Sequence, residues 1–314
     1  MIHSQNRGIM FLPLIQYGPS TLGLLLALAA WYAKRRSHVP LPATARISTA
    51  AAMVITLACM IAFTAWGVFP TWMPPLGEDG FLVMALARNV VPLLLCAAVL
   101  LFLMPRIDAP SPRGSAELAP RTLVSFASRS WLVSAAAVTV GVIIVSILAG
   151  LASSPDDSGR YVMYGVEVSN DTSARTTIYG WWFSLPCLVL IVIIVAIALI
   201  ELAVISRPPL AVDRDDDIAR RTARTRTVLA VSTGGLLLHL GTVFQSLQGA
   251  SSLRLGVQAG PAGWVELGSS FAAIGPVLLV ASYISVILGF AMWWSVLLSA
   301  LRVRTRQRSG SART

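Results

Sequence analysis

The chain has 314 residues, 56% of them hydrophobic and only 12% charged, with a mean hydropathy of +0.74. A soluble domain carries about 25% charged residues, so a water-soluble fold is excluded. The net charge of +10 does not point to nucleic acid, because phosphate-binding patches need a solvated face and most of this surface must meet lipid.

The expected fold is an all-α integral membrane protein, one polytopic domain over 1–314 with about seven transmembrane helices. Each needs roughly 20 apolar residues to cross about 30 Å of hydrocarbon. The first span, 9–32, is too long for a signal-peptide core, and Lys34-Arg35-Arg36 follows it as a stop-transfer flank. The second is 47–68. The third, 81–104, is unusual in carrying Arg88, Asn89 and Pro92. The fourth, 131–151, has Ala137 and Gly141 at the small-xxx-small spacing that lets helices approach closely. The fifth, 180–205, is a continuous apolar run entered through Trp181 and Trp182 and stopped by Arg207-Pro208-Pro209. The sixth, 228–247, contains Gly234, Gly235, His239 and Gly241. The seventh, 271–301, is about 46 Å long at 1.5 Å per residue and leads into a basic tail, 302–314.

Loop charge sets an orientation. Lys and Arg number 19 in the segments 34–46, 105–130, 205–227 and 302–314 together, against four on the opposite side. The positive-inside rule then places the N-terminus outside and the C-terminus in the cytoplasm, which makes the protein a multi-pass protein of the plasma membrane. A single lysine, Lys34, among 24 basic residues indicates a GC-rich coding bias and a bacterial source.

The outer loop 152–178 is expected to hold a β-hairpin between spans four and five. Val162, Tyr164, Val166 and Val168 alternate, and Asn170-Asp171 supplies a turn. The last outer loop repeats the pattern around Gly260-Pro261, and the two are expected to pack as a cap, since one two-stranded hairpin is marginal in water. On the inner side, Asp216/Arg220 and Asp217/Arg221 stand four apart, so the helix of span six is expected to begin well before the bilayer.

Most chemistries find no support. Cys59, Cys96 and Cys187 lie in apolar runs without CxxC spacing, which indicates neither disulfide nor metal site. There is no lysine in the last span for a retinal Schiff base, no second intramembrane histidine for haem, and no HExxH, Walker A or GxSxG motif. Asp215-Asp216-Asp217-Ile218-Ala219-Arg220 resembles the DGxxAR opening of the CDP-alcohol phosphotransferases. It departs where that family has Gly (Asp216) and later Gly and Asp (Leu229, Thr233, Leu237), so no metal, cofactor or catalytic set is assigned.

The candidate binding residues are polar groups in the outer halves of the spans. Arg88 falls about 10 Å and His239 about 13 Å from their outer ends at 1.5 Å per residue, and Gln16, Tyr17, Asn89 and Gln245 also fall in the outer halves of their spans. They could line an outward-open polar cavity in which Arg88 attracts an anion and donates hydrogen bonds to Gln16, Tyr17 or Asn89. Alternatively Arg88 snorkels or pairs with Glu78 or Asp79, and His239 makes one interhelical hydrogen bond. Glu201 is expected at the inner interface. The pattern suggests a transport-related protein, either a permease or the membrane subunit of an export system with ATPase partners, acting on an anionic small molecule. A non-transporting sensor or assembly partner is the alternative, and an intramembrane enzyme of lipid metabolism the third.

Overall fold

The computed structural model describes residues 5–33, 43–66, 77–104, 122, 125–169, 172–206, 214–258 and 264–302. It contains seven long helices: α1 (Gln5–Ala33), α2 (Ala43–Trp66), α3 (Glu78–Leu103), α4 (Arg129–Leu151), α5 (Trp181–Ser206), α6 (Arg214–Ser251) and α7 (Gly275–Ala300). Six of them, α2 to α7, are long and apolar enough to cross a membrane, as in a polytopic membrane protein.

Helix α6 is the axis of the bundle, packing against α3, α4, α5 and α7. A helix surrounded on all sides by others must be apolar or small all round, and α6 meets this with Leu and Val flanking a run of small residues. Its glycines set the spacing. A Cβ at Gly234 would fall 2.6 Å from the Trp293 ring of α7, and one at Gly235 would fall 2.5 Å from Cβ of Cys96 on α3. Gly241 is closed off in the same way by Val286. The close approach expected at Ala137 and Gly141 of α4 is not found: nothing lies within 4 Å of a Cβ built on Gly141, and Ala137 is exposed. The tight contact of α4 is at Gly150, against the Trp181 ring.

Helix α6 starts at Arg214, well before Val228. Arg221 pairs with Asp217 at 2.8 Å and donates to the main-chain oxygen of Ile205 at 3.1 Å, tying the start of α6 to the end of α5. The side chain of Asp216 lies outside the described residues.

Between α4 and α5, β2 (Tyr161–Ser169) and β3 (Thr172–Thr177) pair antiparallel with Tyr164 opposite Thr176, and the short β1 (Ser154–Pro155) adds a third strand. Before α7, β4 (Arg254–Gln258) pairs with β5 (Trp264–Gly268). The tips of both turns, with Asn170-Asp171 and Gly260-Pro261, lie outside the described residues. The two sheets are linked: the Tyr164 hydroxyl lies 2.9 Å from Oγ of Ser270, and its ring meets Phe271 edge-on at 5.1 Å. Arg160 fastens the first sheet to the helices. It donates to Asp156 at 2.8 Å and to Asp79 at the start of α3 at 2.6 Å, 6.0 Å from the Trp182 ring of α5. Asp79 is therefore a partner of Arg160, not of Arg88.

Candidate functional site

The polar residues of α3 and α6 meet because the two helices are brought together at Gly235 and run on side by side toward the sheets. Arg88 donates a hydrogen bond from Nη2 to Oε1 of Gln245. One residue on, the Asn89 side chain accepts from the Thr242 hydroxyl at 2.9 Å and donates to the main-chain oxygen of Ala85 at 2.8 Å. Nδ1 of His239 lies 2.9 Å from the main-chain oxygen of Asn89. Since a carbonyl can only accept, Nδ1 carries the hydrogen, which leaves Nε2 to accept from the Tyr179 hydroxyl at 3.4 Å.

Two environments result. His239 is fully buried, with Tyr179 packed edge-on at 5.9 Å, and both ring nitrogens have partners. Arg88 and Gln245 are exposed. On α6, Gln245 comes one turn after Gly241, which abuts α7, and Thr242, which bonds α3. The Arg88–Gln245 pair therefore occupies an exposed seam between α3 and α6. Pro92 has no N–H, so the main-chain oxygen of Arg88 lacks its usual helical donor as well. A guanidinium has five donors, and among the described residues Arg88 uses one.

Arg88, Asn89, His239 and Gln245 thus form one connected set. Tyr17 does not join it, because α1 packs along α7: Gly23 is closed off by Phe290 and Ile287. The Tyr17 main-chain oxygen accepts from Ser20 at 2.8 Å, and among the described residues no hydrogen bond links its hydroxyl to Arg88. The side chain of Gln16 lies outside the described residues. A titratable His239 open to an outer cavity is also not found, since the ring is enclosed.

Two members escaped the sequence reading. Neither Thr242 nor Tyr179 was among the candidate residues. The spacing His239–Thr242, three apart on the face that also carries Gln245, was the available signal for the first. For Tyr179 there was none, because its contact is made across 60 residues of chain.

Among the described residues no group of three His, Cys, Asp or Glu is placed to hold a metal ion. No family model matches the chain, and neither the curated proteins nor the solved structures compared with it include a match.

Proposed function

We propose that this protein is a seven-span protein of the plasma membrane that binds and moves a small anionic compound, as a permease or as the membrane subunit of an export system. Helix α1 supplies the seventh span by lying along α7, with the N-terminus outside and the C-terminus cytoplasmic. The strand-bearing loops then lie outside, above the Arg88 seam. The observation that carries the reading is the state of Arg88: a cation within a span, exposed at a seam, anchored by one neutral amide and facing no described carboxylate. A charge in that position is costly unless it serves a ligand or water, and four unused donors suit a carboxylate or phosphate.

The test is thermal stabilisation of the purified protein by acetate, succinate, inorganic phosphate and sulfate, followed by uptake of the stabilising anion into proteoliposomes. One anion should raise the Tm of the native protein and not that of Arg88→Gln. No stabilisation by any of them, or equal stabilisation of the variant, overturns the reading.

The ordered cap supports the second reading, a sensor or assembly partner, because Tyr164 and Arg160 join both loops to each other and to the bundle. It predicts that cross-linkers placed in 152–178 capture one defined partner in intact cells.

A further inference from the structure

Within the six apolar spans the carboxyls are Asp79 and Asp217, each at the first residue of its span, and Glu201, in the interior of α5. The sequence placed Glu201 at the inner interface. The structure shows its side chain buried, 1% exposed, on the bundle-facing stripe that also holds Ile194, Ala198 and Ile205. Among the described residues its Oε1 has no hydrogen-bond partner.

Among the described residues no ion pair or hydrogen bond joins Glu201 to a cation. Helix α5 packs against α3, α4, α6 and β2. From α6, Arg221 is held by Asp217 and by the Ile205 oxygen, Arg226 lies over the Trp131 ring at 5.6 Å, and His239 is engaged at the far end. From α3, Cys96 donates to the main-chain oxygen of Val231 at 3.4 Å, and Arg88 and Asp79 are at the opposite end with their own partners. Helix α4 carries only Arg129, at its first residue, and the titratable groups of β2, Tyr161, Tyr164 and Glu167, are on the strand. A bare carboxylate here would be a buried charge without a partner, whereas the protonated acid is accommodated.

We propose that Glu201 is a proton-binding site, taking up and releasing one proton toward the inner side, and that this proton is the coupling ion of the carrier. The second clause rests on the transport reading; the first does not. On release the carboxyl O–H bond breaks, the proton passes to water at the inner end, and Arg221, whose guanidinium reaches α5 one turn away at Ile205, exchanges one of its present partners for the carboxylate left behind. The site and the Arg88 seam would then lie toward opposite ends of one bundle.

The experiment uses the full chain in lipid nanodiscs and the apolar carboxyl reagent dicyclohexylcarbodiimide, which attacks protonated carboxyls in membranes. Mass spectrometry should find the adduct at Glu201 in mildly acidic and neutral solution, and about tenfold less in alkaline solution. Infrared spectra of the native protein should show a carboxylic C=O band that shifts in deuterium oxide and is lost in Glu201→Gln. If Glu201→Gln does not fold, the labelling and the infrared band of the native protein decide alone. Absence of the adduct, labelling independent of pH, or a band unchanged in a folded Glu201→Gln overturns the proposal. Labelling at Glu201 in a protein that binds none of the tested anions supports the proton site while removing the carrier reading. Anion binding lost in Arg88→Gln without labelling at Glu201 does the reverse.

Discussion

Nδ1 of His239 on α6 lies 2.9 Å from the main-chain oxygen of Asn89 on α3, while Nε2 of the same ring faces the Tyr179 hydroxyl just before α5. One imidazole therefore joins three elements in a setting with no room for water, and its two hydrogen bonds fix its tautomer. The residue is a tie in the bundle, whereas Arg88, the neighbour of Asn89 on α3, is exposed and bonded to Gln245 on α6.

His239→Ala removes both bonds and leaves a cavity beside a stranded hydroxyl. The expected loss is about 2–4 kcal/mol of stability, against about 0.5–1.5 kcal/mol for Tyr179→Phe, which removes only the longer bond. Chemical unfolding in detergent micelles measures both. Equal effects would mean that the ring is held by packing and not by its hydrogen bonds.

Two glycine-to-alanine changes should act in opposite directions. Gly235→Ala puts a methyl 2.5 Å from Cβ of Cys96, so α3 and α6 must separate, at about 1–3 kcal/mol. Gly141→Ala adds a methyl where nothing lies within 4 Å and should stabilise α4 by roughly 0.5–1 kcal/mol. Melting temperatures of the two variants side by side check this.

The Arg160 staple has a pH signature. Partial desolvation pushes the Asp156 carboxyl up, but the main-chain N–H groups of Arg160 and Ser158 and the Arg160 guanidinium outweigh it, so the group titrates below its ordinary value. A depressed carboxyl contributes stability that is complete above the unfolded value, about 3.9, and is lost as pH falls through the folded one. The attachment of the first sheet should therefore hold through neutral and mildly acidic solution and loosen only in strong acid. Arg160 itself is held above its usual value by Asp79 and Asp156, so it stays charged throughout. Amide exchange across 154–164, followed as pH is lowered, should accelerate in strong acid in the native protein and already at neutral pH in Asp156→Asn.

Topology is testable without a ligand. A reporter fused after Thr314 should be active only in the cytoplasm, and single cysteines placed in 152–178 should react with an impermeant maleimide in intact cells. Protection of that loop would invert the orientation and put the Arg88 seam on the inner side.

Composition and run length were enough to determine the class of this protein and the positions of its long helices, and to bring Arg88, Asn89, His239 and Gln245 to the same half of their helices, because helix rise converts sequence distance into distance along a helix. What they could not decide is direction around each helix. In a soluble protein the apolar stripe marks the buried face, but in a bilayer lipid and core are equally apolar, and the stripe carries little information. So Gly141, with the right spacing, faces open space, while Gly235 closes on Cys96; Tyr17 sits on a helix that packs against α7; and Glu201, one turn from the end of its helix, is turned into the bundle. Packing around α6 settled each of these, because only the steric fit of specific side chains, summed over several helices, selects which face of an evenly apolar helix meets protein and which meets lipid.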